Sequence, residues 1–251
     1  MTIKQGQSCQ IPQLRALWKE AFGDTDDFLD GFFQVGFSQD RCRCLWEGDQ
    51  LGGALYWFDC TWQDKKVAYI YGVATNMAFR GQGVCRRLME DTHRLLKEQG
   101  YRGSLLVPGN EGLFQLYEKM GYRPCCGKKA ETVLAGTDPV ALTQISPAAY
   151  EELQKHYLPE ARVVHSAAAL DFAGTYNRFY QGEDFAFCGG AEDQIFYFQE
   201  FLGKTQKLPG ILSALQARCG QLRVAGDIPF AMYLPLDGTE ALPQDFDIPL
   251  N

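Results

Sequence analysis

The chain has 251 residues, 46% hydrophobic and 22% charged, with a formal net charge of -7. That length can bury one large core or two small ones, and the balance is that of an ordinary globular protein. The acidic charge, with Lys128–Lys129 and Arg86–Arg87 present only as pairs, argues against a nucleic-acid partner and mildly favours a cationic one such as an amine.

In chain order, Ile11, Leu14, Leu17, Trp18 and Ala21 keep the 3.6-residue period of a first helix, which Gly23 and Asp24 interrupt. Asp26 and Asp27 then open a second amphipathic helix carrying Phe28, Leu29, Phe32 and Phe33. Residues 41–46 and 51–59 read as a hairpin around Glu47–Gln50, and 67–75 as a buried central strand. A turn with Arg80, Gly81 and Gly83 precedes a helix over Val84–Gln99, stopped by Gly100. A short strand at 103–107, a helix over Glu111–Met120 capped by Asn110, and a strand at 122–133 complete a mixed α/β unit at 1–135. Residues 134–146 read as a connector to a smaller α+β region at 145–251. That region has helices at 147–157 and 208–217, strands at 183–190, 194–202, 219–225 and 229–235, and a polar, irregular tail at Leu242–Asn251. Its order echoes part of the first half.

No window approaches the roughly 20 apolar residues of a membrane span, and the N-terminus lacks a signal-peptide core. A cytoplasmic protein with nine reduced cysteines is therefore expected. Neither Cys42-x-Cys44, Cys125–Cys126 nor the three histidines has ligand spacing, so no metal is expected.

The informative stretch is residues 69–96, a strand, a two-glycine turn and a helix. Helix N-termini present unpaired N–H groups and a partial positive charge that suit a phosphate, and glycines let a pyrophosphate approach the backbone. Arg80 adds a forked cationic donor. Arg86 stands where a Rossmann fingerprint needs its third glycine, and the Gly-Lys-Ser/Thr of a P-loop is absent.

Arg80-Gly81-Gln82-Gly83-Val84-Cys85 resembles the signature of the GNAT acetyltransferase superfamily, with Cys85 where Gly or Ala is usual. Residues 110–122 resemble that family's Asn-x6-Tyr-Glu-Lys-x-Gly-aromatic segment. The resemblance covers 1–133. Within it, GVATNMAFRGQGV resembles the branch of the Eis-like aminoglycoside acetyltransferases, which carry a degenerate second acetyltransferase-like region; residues 134–251 are expected to be such a region.

The resemblance implies a GNAT-like fold and acetyl-CoA as co-substrate. Val73, Ala74 and Thr75 would hold the pantetheine arm and acetyl carbonyl, Arg80 to Arg86 the pyrophosphate, and Asn110 a place beside the arm. Tyr117 would protonate the departing thiolate. The acceptor would be a small-molecule or peptide amine; a homo-oligomer stays open. Candidates for the base are Asp59, the Asp24–Asp27 cluster and the terminal carboxylate of Asn251, each also readable as a cap or solvated charge. Trp57, Phe58, Trp62, Tyr69 and Tyr71 could line an acceptor pocket, but alternation sends only half to one face. Without a clear base, the alternative is a non-catalytic acyl-CoA binder or sensor. A partner-binding module, blind to acetyl-CoA, is the third reading.

Overall fold

The computed structural model describes residues 1–157 and 160–250. The first elements are β1 (Thr2–Gln5), α1 (Ile11–Phe22), α2 (Asp26–Gly31), β2 (Cys42–Glu47), β3 (Gln50–Trp62), β4 (Lys65–Thr75), α3 (Val84–Glu98), β5 (Gly103–Leu106), α4 (Glu111–Glu118) and β6 (Arg123–Leu134). Then come β7 (Thr143–Ile145), α5 (Pro147–His156), β8 (Val164–His165), α6 (Ala167–Ala173), β9 (Arg178–Gln181), β10 (Phe185–Glu192) and β11 (Ile195–Gly203). Last are α7 (Leu208–Ala214), β12 (Cys219–Ala225) and β13 (Ile228–Pro235). Contacts divide the chain into unit 1 (Met1–Arg123 and Met232–Leu242) and unit 2 (Pro124–Ala231 and Pro243–Asn251). No helix among the described residues is long and apolar enough to cross a membrane.

In unit 1 the strand order is β1-β2-β3-β4-β5-β13. The strands from β1 to β4 are antiparallel neighbours. β4 and β5 are parallel, which requires a crossover, and α3 supplies it. The period-2 alternation sorts side chains by face. Leu55, Trp57, Ala68 and Ile70 pack with Leu88, Met89 and Leu96 of α3 and with Tyr117 of α4. On the other face, Trp18 of α1 meets Phe32, Tyr56 and Tyr71 with ring centroids 4.6, 5.3 and 5.7 Å away.

Three expectations change. The second helix ends at Gly31, and Phe32–Gly36 form a π-turn closed by Phe37 N–H donating to the Phe32 carbonyl at 2.7 Å. The strand read at 122–133 does not complete the first unit. As β6 it pairs with β12, and the place beside β5 goes to Met232–Pro235 of β13. The tail is not polar filler either. Phe246, Ile248 and Leu250 alternate into the interior of unit 2 and are fully buried.

In unit 2 the strand order is β7-β9-β10-β11-β12-β6, with β11 and β12 parallel and α7 between them in sequence. A strand, two helices, three antiparallel strands, a helix, a parallel strand and an antiparallel neighbour thus follow the order of unit 1. Its aromatic core gathers Phe185, Phe187, Phe196 and Phe198 over Leu208, Ile211 and Leu212. A buried ionic cluster secures the tail. Arg162 pairs with Glu200 and Asp245, and Lys128 holds Asp245 at 2.9 Å and Asp247 at 3.0 Å. Lys128, read from the sequence as one of a basic pair, is therefore neutralised inside the unit.

Unit 1 also contains a polar chain that sequence reasoning missed. His93 Nε2 lies 2.8 Å from the Tyr122 hydroxyl, which lies 2.5 Å from Ser104 Oγ. Burial pushes the His93 imidazole from its ordinary value near 6.5 down to about 4. The folded chain then binds fewer protons than the unfolded one between those values. The His93 contribution is full above about pH 6.5 and is lost as pH falls towards 4. In urea unfolding, the stability of wild type relative to His93→Gln should shrink by roughly 1–3 kcal/mol between pH 7 and pH 4.5. An unchanged difference would mean that the imidazole is hydrated.

Candidate functional site

The site is built where β4 leaves its neighbours. β4 pairs with β5 only over Val67–Tyr69, and β5 stops at Leu106 while β4 runs on to Thr75. Opposite β3 the register slips between Ala54 and Tyr56, so that Gly72 and Val73 together face Leu55. Tyr71, Gly72 and Val73 are consequently half-buried although they lie on a central strand. One edge of this stretch is free of β5, leaving backbone groups there for a ligand. Ala74 is buried and Thr75 half-buried at its end.

A tightly bonded turn follows. Asn76 N–H donates to the Gly52 carbonyl at 3.0 Å, and the Asn76 side chain accepts from Ala78 N–H at 3.0 Å. Glu20 accepts from Met77 N–H at 2.6 Å. Gln82 Nε2 donates to the Ala78 carbonyl at 3.0 Å, and Arg80 Nε to the Thr75 carbonyl at 3.3 Å. Gln82 thus holds the turn from within.

Gly81 and Gly83 adopt φ of +74° and +76°, and a Cβ at either would find nothing within 4 Å. The turn is therefore open. Gly83 caps α3 without a side chain, and the first bond into the helix is Arg87 N–H to the Gly83 carbonyl. The first-turn amides of Val84, Cys85 and Arg86 accordingly have no side-chain cap. Arg80 is exposed and forms no ion pair among the described residues, while Arg86 pairs loosely with Glu90 at 3.8 Å. An open glycine turn before uncapped amides is the kind of arrangement that suits a diphosphate.

Two further expected site residues belong to α4 and its cap. Asn110 caps α4, its side chain accepting from Leu113 N–H at 3.1 Å. Its sequence-assigned place beside a ligand arm is thus also a structural post. Tyr117 belongs to the core cluster with Val84 and Leu88, with Cys85 packed against it, and its ring is 5.7 Å from Tyr122. Its hydroxyl has no hydrogen-bond partner among the described residues, yet is not one of the fully enclosed orphan atoms. Burial, with Cys85 adding to it, raises the Tyr117 phenol well above its usual range and keeps it protonated. Burial likewise pushes the Cys85 thiol up to about 11, so Cys85 is a packing residue without thiolate character.

The proposed bases fare differently. Asp59 sits at the far end of β3, opposite Ala68, where it takes Arg41 and the Tyr101 hydroxyl at 2.5 Å each. Although burial alone would raise it, those two donors bring its carboxyl below the usual range. Asp24 accepts from Trp18 Nε1 at 2.7 Å, and Asp26 binds Arg15 and Lys19. Asn251 lies outside the described residues. Of the aromatics that the sequence offers for an acceptor pocket, Trp57 faces the α3 core and Trp62 packs against Tyr233. Tyr71 is the half-buried one, on the α1 face. Among the described residues no three His, Cys, Asp or Glu side chains come together as a metal site.

The sequence over residues 2–125 matches the family described as acetyltransferase (GNAT) domain. Residues 2–125 are a GNAT acetyltransferase domain. Solved structures extend the likeness of fold over nearly the whole chain. A GCN5-related N-acetyltransferase from Kribbella flavida aligns with a TM-score of 0.73 at 17% identity, over 94% of this chain and 71% of that one. Eis1 from Mycobacterium abscessus aligns with a TM-score of 0.67 at 9% identity, over 94% and 74%. A GCN5-related N-acetyltransferase from Sphaerobacter thermophilus aligns with a TM-score of 0.56 at 11% identity, over 97% and 98%. None of the curated proteins matches the sequence.

Proposed function

We propose that unit 1 moves an acetyl group from acetyl-CoA to a primary amine by direct transfer in a ternary complex, and that unit 2 is a degenerate copy of the same fold. The observation that supports this most is the open turn at Gly81 and Gly83, placed where uncapped α3 amides adjoin the unpaired edge of β4. Amides of Val84, Cys85 and Arg86, with the Arg80 guanidinium, would hold the diphosphate. Acetyl-CoA supplies the activated acyl group. Backbone donors of Val73–Thr75 would receive the arm, and an N–H near Ala74 would stabilise the negative charge that develops on the carbonyl oxygen. The strand edge would also hold the two reactants close together.

The amine nitrogen bonds to the acyl carbon, the carbon–sulfur bond breaks, and the sulfur takes the Tyr117 proton. The same burial that keeps this phenol protonated makes its phenolate costly. Its proton must therefore be replaced within the step by the one the ammonium releases, relayed by water. Tyr117→Phe should lower kcat by about 100-fold with a smaller change in KM for acetyl-CoA. An unaltered kcat would remove Tyr117 from the chemistry.

One observation favours a second reading, an acyl-CoA sensor: Asp59, Asp24 and Asp26 are all engaged elsewhere, so none is a ready base. CoA release measured across a panel of primary amines separates the two. Turnover with any amine supports the transferase. Acetyl-CoA that raises the melting temperature without turnover supports the sensor.

A further inference from the structure

We propose that Arg223 of unit 2 anchors a binding site for a small organic monocarboxylate. β11 and β12 pair over only three residues, ending at Tyr197 and Gln221, although they continue to Gly203 and Ala225. Each is held on its other side, β11 by β10 and β12 by β6. The facing edges therefore part, at the same step in the strand order at which β4 and β5 part in unit 1. A cavity of about 180 Å³ lies there, lined by Phe198, Gln199, Leu222 and Arg223 among others.

Arg223 is poorly satisfied for a half-buried cation. Its Nη2 donates to the Gln199 carbonyl at 3.5 Å and to Gln199 Oε1 at 3.2 Å, both long contacts to neutral acceptors. Its Nε is enclosed with no acceptor. No carboxylate pairs with it among the described residues. Its guanidinium lies over the Phe230 ring, 5.3 Å from the centroid. A charge drawn out of water without a counter-charge is costly, and a carboxylate in the plane of the fork would relieve it through paired N–H donors.

The ligand class follows from the surroundings. One unpaired guanidinium calls for a monoanion rather than a phosphate dianion. Phe198, Leu222 and Ala130 offer apolar wall to a short alkyl body. A neighbouring hollow of about 300 Å³ shares Tyr197 and Gln199 and gives room for a longer one.

The test uses the full chain with butyrate, its neutral isostere butyramide, and inorganic phosphate, followed by NMR shifts and melting temperature. Butyrate is expected to bind saturably and raise the melting temperature, whereas butyramide does neither. Arg223→Gln should weaken butyrate at least tenfold, and Arg223→Lys, which keeps the charge but loses the fork, by less. CoA binding should be unaffected in both variants and reports that they are folded; should Arg223→Gln fail that check, Arg223→Lys decides. The proposal is overturned if wild type shows no saturable butyrate binding, if butyramide binds equally, or if neither variant weakens it. Phosphate binding more tightly than butyrate overturns the monocarboxylate assignment. Failure of CoA to bind wild type would count against the reading of unit 1 and leave the butyrate result standing.

Discussion

Arg162→Ala is expected to destabilise unit 2 by about 3–5 kcal/mol in urea unfolding at pH 7. The guanidinium is buried among Glu200, Asp245 and Asp247, with Lys128 as the other cation of the cluster. Its removal leaves three enclosed carboxylates facing one ammonium, and burial already pushes Asp247 up to about 7. Glu200→Gln should cost less, since Arg162 keeps both tail aspartates. A loss under about 1 kcal/mol for Arg162→Ala would mean that water reaches the acids. The sign of the pH dependence gives a second readout. Asp247 titrates near 3.8 unfolded and about 7 folded, so its protonated form stabilises the fold at low pH, and that contribution is lost as pH rises between those values. Asp247→Asn should therefore gain on wild type progressively from pH 4 to pH 7. A flat difference would place the carboxyl in water.

Gly83→Val, and likewise Gly81→Val, is expected to weaken CoA binding by at least 100-fold in calorimetric titration while leaving the protein folded. Two effects separate here. A β-branched residue at φ near +75° costs about 1–2 kcal/mol of backbone strain. A Cβ there meets no protein atom because the space is open, so the added bulk would stand in the room that the proposal gives to the diphosphate. Melting temperature should fall only modestly while affinity collapses. Gly83→Ala should be milder, and Arg80→Gln, which removes a charge but no space, should cost about tenfold. Wild-type CoA affinity in Gly83→Val would end the assignment of this turn as the phosphate cradle.

The elements around the turn were legible because local rules agree there: an apolar β-rich run, paired glycines, then a helix with a strict apolar stripe. Short elements escaped. β1 is four residues, three of them exposed, and α6 and β9 are too brief for periodicity to register. The tail is irregular, as its prolines suggest, but its burial escaped notice because Asp245 and Asp247 meet Arg162 and Lys128 from far away in sequence. The same distance hid the Asp59 partnership with Arg41 and Tyr101 and the chain from Ser104 through Tyr122 to His93. In the site, residue identity and spacing pointed to Arg80–Cys85, Asn110 and Tyr117. They left open how deeply Tyr117 is buried, which depends on what α4 covers.

Because the strand beside β5 comes from Met232–Pro235, with the Tyr233 ring lying where a side chain at position 103 would have to be, unit 1 is stitched from two segments far apart in the chain. A nascent chain emerging from the ribosome exposes every earlier strand of that sheet long before the last one is translated. Until then the outer edge of β5 has no permanent neighbour, so this stretch is where a chaperone, or an errant second molecule, has its longest opportunity to bind.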